Sequence, residues 1–372
     1  MAKTGGLRAL SIFSGAGGFD VGVRQAGFSI LAELEIDPHC CATLRAANED
    51  AGANTKVLEG DICTVSPEGL LNDFGLAPGE LDLLFGGSPC QSFSLAGKQQ
   101  GLNDARGVLL FEFIRFAEAF KPKVILLEQV KGLLSAKGVH GKRGEVFEDF
   151  LKRLEAAGYV PKWQVIMAAD FGIPQLRERL FVVTTRGHNG FVFPQRTHAP
   201  AGECDNMFMS YLPYRTVGEV LGDLGEPDKK KRGQLLPNRL DGHVDVTPAR
   251  DKERIAQVPE GSYLACQMHL TEGIRKGLSP KDTTKYLRLH RKRQSNTLRC
   301  GEIFYHPTDD RYLTPREYMR IHGYPDDYYL MGPIRSRTGT VRNLDQHRQV
   351  ANSVPPPLAK ILAEKIADYI NE

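Results

Sequence analysis

The sequence predicts an α/β fold: a mostly parallel sheet with helices on both faces, joined to a smaller, irregular second domain. Three observations predict it. Through the first half of the chain, short apolar runs alternate with helical stretches, the pattern of a parallel sheet covered on both sides. That rhythm stops after Thr185, and residues 191–300 turn rich in Pro, Gly and mixed charge. It recovers at Thr314 and closes in an amphipathic run, Leu358–Tyr369. A length of 372 residues leaves room for about two domains.

Taken in order, Leu7–Phe13 reads as the first strand and Phe19–Ala26 as the helix after a glycine turn. Ile30–Leu34 is a second strand, Cys40–Ala47 lies in the helix after it, and a third strand ends near Asp61. Leu81–Phe85 and Val124–Leu127 are continuous apolar runs, as strands buried on both faces require. Leu109–Phe120 is their helical crossover. Phe147–Ala157 is a further helix, and Val160–Met167 and Leu180–Thr184 complete the strands. Thr314 is placed to cap a helix with Pro315 at its first position, running to Ile321. The division expected is residues 1–190, completed by 311–372, with 191–310 as the second domain.

Composition narrows the class. An apolar share of 41% and a charged share of 25% are those of an ordinary soluble protein. No stretch approaches the roughly 18 apolar residues of a membrane span. The opening Met-Ala-Lys-Thr-Gly-Gly lacks the apolar core of a secretory signal, so a cytoplasmic location is expected. Seven cysteines without a CxxC pair argue against a disulfide framework and for a reducing interior. His39-Cys40-Cys41 has no second cluster and suits zinc poorly, so no metal is expected. Residues 191–300 hold 19 Lys/Arg against 13 Asp/Glu in a chain of net charge +3. A basic subregion of this kind suggests a polyanionic partner. A run such as Lys229-Lys230-Lys231-Arg232 is more often only a solvated face.

The groups that could do chemistry gather at strand ends. Pro89-Cys90-Gln91 follows Leu81–Phe85 and Gly86-Gly87-Ser88, which puts a thiol at the carboxyl end of a parallel strand, where ligands bind. Cys90 is a candidate nucleophile there; a buried small hydrophobe is the plainer alternative. Phe13-Ser14-Gly15-Ala16-Gly17-Gly18 follows the first strand and opens a helix, so a ligand can approach its backbone. Glu35, ending the second strand, can accept from ribose hydroxyls, and Asp61 from an adenine amino group. The glycine loop has no lysine, which favours a nucleoside without phosphates. Glu128 directly follows Val124–Leu127; a carboxylate in an apolar surround gains proton affinity and can act as an acid, though capping the next turn would also explain it. Alternation in Gln175-Leu176-Arg177-Glu178-Arg179 puts three polar side chains on one face. Arginines there suit a phosphate or a base oxygen, and an exposed edge strand would account for them equally well.

In combination these segments resemble the DNA (cytosine-5)-methyltransferases of bacterial restriction–modification systems. Phe13–Phe19 is similar to that family's cofactor loop. Gly87-Ser-Pro-Cys-Gln-Ser-Phe-Ser94 with Gly97-Lys98 is similar to its nucleophile loop. Leu127-Glu128-Gln129-Val130 stands where the family has Glu-Asn-Val, and Ala169–Arg179 matches its Gln-x-Arg-x-Arg segment. Leu313–Glu317 with Gly323-Tyr-Pro-Asp326 resembles the support of its recognition domain, and Ala351-Asn352-Ser353-Val354 its closing Gly-Asn-Ser-Val. Only residues 191–295 lack a clear counterpart.

The resemblance implies a Rossmann-like, S-adenosylmethionine-dependent methyltransferase domain plus a target-recognition domain. The implied reaction is methylation of carbon 5 of a flipped-out cytosine in a specific double-stranded DNA sequence, through a covalent Cys90 adduct. Cys90, Glu128, Arg177 and Arg179 become the catalytic set. Phe13, Gly15, Gly17, Gly18, Glu35, Ile36, Asp61, Ile62, Pro89, Leu109, Asn352 and Ser353 become contacts for S-adenosylmethionine. DNA contacts are expected from Gln91, Ser94, Lys98, Arg106, Gln175, Arg288, Arg291, Lys292, Arg293 and Arg299. The implied setting is a monomer in the bacterial cytoplasm or nucleoid, either with a cognate restriction endonuclease encoded nearby or as an orphan methylase. Ile36 replaces a common aromatic, Gln129 the usual Asn and Ala351 the usual Gly. A tRNA-directed relative is the first alternative, disfavoured by the basic insert and the lack of a Cys-Phe-Thr segment. A catalytically silent DNA-binding homologue is the second, disfavoured by the intact Cys90, Glu128 and Arg179.

Overall fold

A computed structural model describes residues 6–89, 109–188, 190–204, 210–229, 242–283, 285–336 and 342–372. Five strands, β1 (Arg8–Ile12), β2 (Ser29–Glu35), β3 (Lys56–Glu59), β4 (Leu83–Gly87) and β5 (Val124–Gln129), run parallel in the order β3-β2-β1-β4-β5. Two longer strands extend the sheet: β6 (Tyr159–Met167) and, after the two-residue β7 (Gln175–Leu176), β8 (Glu178–Arg186). β8 pairs antiparallel with both β5 and β6, so the sheet is parallel over five strands and mixed at one edge. Helices α1 (Gly18–Gln25), α2 (Pro38–Asp50) and α3 (Pro67–Asp73) connect the first strands. α4 (Glu112–Phe120) and α5 (Glu145–Ala156) cover the rest. β4 and β5 are buried at almost every position, which explains why both read as unbroken apolar runs.

Two compact units emerge from the packing. The first comprises Met1–Met167, Glu178–Gln195 and Val354–Glu372, and the second Ala168–Arg177 and Arg196–Ser353. The sheet lies in the first unit. The last helix of the chain packs on α1 there, because Gly22 carries no side chain: a Cβ would fall 2.4 Å from the Pro356 carbonyl oxygen. A comparable constraint closes β1 on β4. A Cβ on Gly86 would lie 1.8 Å from the Ile12 carbonyl oxygen, so that position accepts only glycine.

The second unit has short elements: α6 (Val217–Leu221), α7 (Ala249–Ile255), α8 (Pro315–His322), α9 (Gln346–Asn352) and several two-residue strands. Thr314 caps α8, with Glu317 completing a reciprocal capping box. His243 Nδ1 also meets the Thr314 hydroxyl at 3.0 Å. Such links pack residues 311–353 with 196–310, whereas the sequence pattern grouped 311–372 with the first 190 residues. Only Val354 onward, forming α10 (Pro356–Asn371), returns to the first unit. No helix among the described residues is long and apolar enough to cross a membrane.

One buried charge cluster in the first unit has a measurable consequence. Burial pushes Asp20 on α1 up to about 6, with Ser11 and Arg24 pulling it back. Burial, then the Asp20 charge, push Glu33 on β2 up to about 8, against Arg24 and Asn48. Arg24 Nη2 lies 2.7 Å from Glu33 Oε1, and Asn48 Nδ2 donates to Oε2 at 2.8 Å. The folded state thus holds protons more tightly than the unfolded chain, whose acids titrate near pH ~4. The resulting stabilisation is complete below that pH and is lost as pH rises through 6 and then 8. Accordingly, the melting temperature should fall between pH 6 and 8 more steeply in the native protein than in Glu33→Gln. Equal slopes in thermal melts would show that the pair is not the source.

Candidate active site

Strand register lines up one rim of the sheet. Glu35 pairs with Glu59, Leu34 with Ile12, Ile12 with Gly86 and Gly87 with Glu128. The carboxyl ends of β3, β2, β1, β4 and β5 therefore open on one side, the side where such sheets bind ligands.

On the β1–β2–β3 part of this rim, Phe13 holds a φ of 58°. A bulky residue in the left-handed region is strained, and such strain is characteristic of functional loops. Its ring rests against Phe113, with centroids 6.0 Å apart. Gly15 and Gly17 continue the turn with positive φ, and Gly18 begins α1. Glu35 fastens this loop. Its Oε2 accepts from the Gly15 amide at 2.7 Å, and its Oε1 accepts from the Ile36 and Asp37 amides, both at 2.8 Å. Burial raises the proton affinity of Glu35, while those amide bonds lower it. Next to it Ile36 leaves 38% of its surface exposed, an apolar platform at the sheet edge. Asp61 Oδ1 accepts from the Cys63 amide at 3.0 Å, Ile62 is buried, and Leu109 begins a 3₁₀ turn. Acids beside a glycine loop (Phe13–Gly18) that carries no lysine or arginine suit a ligand with hydroxyls, an amino group and a positive charge. This donor set fits S-adenosylmethionine, a sulfonium nucleoside without phosphates.

At the β4–β5 part of the rim stands Glu128. Arg179, near the start of β8, brings Nε to 2.9 Å from Glu128 Oε1, with side chains 15% and 12% exposed. The approach is ionic but poorly directed: Oε1 is buried and makes no hydrogen bond among the described residues. Arg179 also donates from Nη1 to the Glu178 carbonyl at 2.7 Å. On the other side, a Cβ on Gly87 would be 3.0 Å from Glu128 Oε2. Gln129 is fully buried and donates from Nε2 to the Ser88 hydroxyl at 2.8 Å and the Ser88 carbonyl at 3.1 Å. Its Oε1 accepts from the Val130 amide at 2.7 Å. Gln129 thus ties down Ser88, the residue before Pro89. Cys90, Gln91, Ser94, Lys98 and Arg106 lie outside the described residues.

The segment Gln175–Arg179 is not one strand with a single polar face. Gln175 and Arg177 belong to the second unit and Arg179 to the first. Gln175 is buried; its amide meets His322 Nδ1 at 3.0 Å and accepts from the Leu298 amide at 3.2 Å. Arg177 is buried and donates to the carbonyls of Leu298, Ala351 and Ser353 at 3.4, 3.2 and 2.9 Å. Ser353 also receives His322 Nε2 on its carbonyl at 3.0 Å, and Asn352 Oδ1 accepts from the Cys300 thiol at 2.8 Å. Ala351 is helical, so its replacement of glycine costs nothing in backbone angle.

Arg288 requires a correction. Expected at a DNA groove, it is 8% exposed and donates to the carbonyls of Ile255, Val258, Pro307 and Thr308, with Asp310 3.1 Å away. Its guanidinium is consumed in holding the second unit together. Arg291, Lys292, Arg293 and Arg299 are exposed, and Arg291 grips Glu260 through Nε and Nη2 at 3.1–3.2 Å.

Comparison with known proteins supplies the context. A family model described as C-5 cytosine-specific DNA methylase matches residues 7–368. The chain belongs to this family. The methylase is 32% identical over 367 residues to the type II methyltransferase M1.HphI of Haemophilus parahaemolyticus, covering 97% of this chain and 86% of that one. It is 40% identical over 228 residues to M.AquIA of Picosynechococcus, covering 58% and 88%. Among solved structures, a protein described as a DNA modification methyltransferase encoded within an E. coli prophage matches with a TM-score of 0.69 at 21% identity, covering 98% and 100%. Family and fold together make the methylase an S-adenosylmethionine-dependent cytosine-5 DNA methyltransferase with a Rossmann-like sheet.

The resemblance marks Gln129 as an amide one methylene longer than the usual Asn, with loop anchoring adjusted to it; its partners, Ser88 and the Val130 amide, are given only by the structure. Gln129→Leu keeps the bulk but strands the Ser88 carbonyl and Val130 amide. The expected cost is about 1–3 kcal/mol, read from urea unfolding midpoints. No loss would mean that the Ser88 link is dispensable.

Proposed function

We propose that the methylase modifies a cytosine flipped out of double-stranded DNA through a covalent adduct on Cys90. The proposal rests most on Glu128: a buried carboxylate oxygen with no hydrogen bond among the described residues, beside Arg179, in register with the strand that leads to Cys90. Cytosine carbon 5 is too poor a nucleophile to take a methyl group unaided. The Cys90 thiolate adds to carbon 6, breaking the carbon 5–carbon 6 π bond and making carbon 5 enamine-like. Glu128 accepts from the exocyclic amino group and, in its protonated form, gives its proton to ring nitrogen 3. Arg179 turns toward the base carbonyl and stabilises the charge that develops there. S-adenosylmethionine, when bound, supplies an electrophilic methyl group on a sulfonium sulfur. Once carbon 5 is methylated, its proton leaves to a base and the electrons of that bond restore the double bond. The carbon–sulfur bond breaks, and Cys90 departs as thiolate. The base cannot react while stacked, so it is extruded at a cost of a few kcal/mol, roughly the unstacking energy.

For the donor, Phe13, Gly15, Gly17, Gly18, Glu35, Ile36, Asp61 and Ile62 form the proposed cradle on the first unit, with Pro89 and Leu109 beside it and Asn352 and Ser353 as further contacts. Residues 191–310 supply target recognition, with Arg291, Lys292, Arg293 and Arg299 as phosphate or groove contacts. Arg177 acts as a positioning residue, since its donors already hold three carbonyls. The setting proposed is the modification arm of a restriction–modification system, acting as a monomer in the cytoplasm.

A duplex carrying 5-fluorocytosine at the modified site should trap the methylase covalently, because the fluorine cannot leave as a proton would. Peptide mapping should place the link on Cys90, and a link elsewhere would reject the mechanism. In bisulfite assays Cys90→Ala should show no turnover while retaining duplex binding. Glu128→Gln should lower kcat by about 10²–10⁴, and Arg179→Ala by about 10²–10³.

A further inference from the structure

Beyond the reacting rim, a short basic turn leaves the carboxyl end of β5. After the 3₁₀ segment Lys131–Ser135, residues 136–144 form a tight hairpin in which Lys137 and Arg143 pair antiparallel. The shape is imposed by Glu145, the first residue of α5. Its carboxylate accepts from the amides of His140 and Lys142, each at 3.2 Å, and meets His140 Nδ1. A Cβ on Gly138 would fall 2.6 Å from that carboxylate, so a side chain there would push Glu145 from its seat in the turn. Gly141 and Gly144 turn the chain with φ of 73° and 84°.

The cations around this turn fall into two groups. Lys131 pairs with Glu178 at 3.1 Å and Lys142 with Glu148 at 2.9 Å. Lys137 and Arg143 are exposed and have no ionic partner among the described residues. They face each other across the hairpin, and like charges directly opposite on paired strands destabilise each other. Glu145 holds in place a turn that keeps two cations about 5 Å apart at Cβ. An anion between them relieves the repulsion.

We propose that Lys137 and Arg143 form a clamp for one stretch of the phosphodiester backbone of duplex DNA, placed by the Glu145-held turn beyond Glu128. The clamp rests on the reading of this rim as the DNA-modifying site. It holds DNA to the catalytic unit itself, separately from any contact made by residues 191–310. Its ligand is phosphate in a polymer, not a free anion, since two exposed cations gain most from the counterions that a duplex releases. Lys137 and Arg143 are positioning residues; neither touches the reacting base.

The test uses the full-length methylase and a duplex whose modified site has been mapped by bisulfite sequencing. Affinity is measured from 50 to 200 mM salt. Each lost phosphate contact should flatten the slope of log affinity against log salt by about 0.9. The Lys137→Ala/Arg143→Ala variant should therefore lose about tenfold less affinity than the native protein over that fourfold range. Its KM for DNA should rise while kcat stays within about twofold, because the clamp acts before the chemistry. Lys137→Arg/Arg143→Lys should restore the native slope, and Lys360→Ala should leave it unchanged. Should the double-alanine protein melt early, Lys137→Gln alone should show half the slope change. A native slope in a stably folded double-alanine or Lys137→Gln variant, with the native protein methylating the same DNA, overturns the clamp alone. A native protein that leaves the duplex unmethylated overturns the clamp together with the reading beneath it.

Discussion

Across the β1–β4 pair, the backbone runs so close that position 86 has no room for a methyl group. The whole carboxyl rim depends on that approach. It keeps β4 in register with both neighbours to its end, so Gly87 arrives opposite Glu128. A second residue without a side chain leaves the Glu128 carboxylate space at the mouth of the sheet. The chain then exits through Ser88, held by Gln129, into the Pro-Cys loop. The arginine depends on the same order. Because β8 runs antiparallel to β5, its beginning meets the carboxyl end of β5, and Glu128 pairs with Phe181. Arg179, two residues earlier, points to the same face. A parallel neighbour would have brought its beginning to the opposite rim.

The ionic contact between Glu128 and Arg179 suits groups that must later part. Two fully hydrogen-bonded buried charges would be costly to separate, since breaking such a pair costs about 3–5 kcal/mol. Here the charges neutralise each other, but Oε1 keeps its acceptor capacity and neither side chain is fully sealed from solvent. In the proposed mechanism an entering base offers both of them new partners: its amino group for the carboxylate and its carbonyl for the guanidinium. Glu35, on the same rim, is by contrast well hydrogen-bonded, its oxygens accepting from three backbone amides, one of them that of Gly15 in the glycine loop.

Much of this was legible from residue types because burial leaves a plain mark. β4 and β5 are enclosed on both faces and read as unbroken apolar runs, and an acid directly after such a run must stand at its end. The Thr314 cap and Pro315 were equally readable, because capping chemistry is local. The antiparallel edge was not, since strand direction is decided by the route of the intervening chain. Nor was the division of Gln175–Arg179: alternation assumes one continuous strand, whereas β7 pairs with Ser295–Asn296 and β8 with β5 and β6. The contribution of residues 311–353 to the second unit rests on contacts distant in sequence, such as His243 with Thr314.

Arginine shows why charge counts mislead about nucleic-acid surfaces. Residues 191–300 hold more cations than acids, and a census would assign all of them to DNA. Yet Arg288 gives its donors to backbone carbonyls, and Arg311, nearby in sequence, forms a forked pair with Glu317 at 2.8 and 2.9 Å. In a unit with such short helices and strands, many carbonyls find no ladder partner, and a guanidinium with five donors satisfies several at once. Lysine, a compact charge on a flexible stem, serves that purpose poorly. The basic character of an irregular domain is therefore partly structural. Exposed cations, such as Lys292, Arg293 and Arg299 or the facing Lys137 and Arg143, carry more weight as sites for a polyanion than guanidiniums spent on carbonyls.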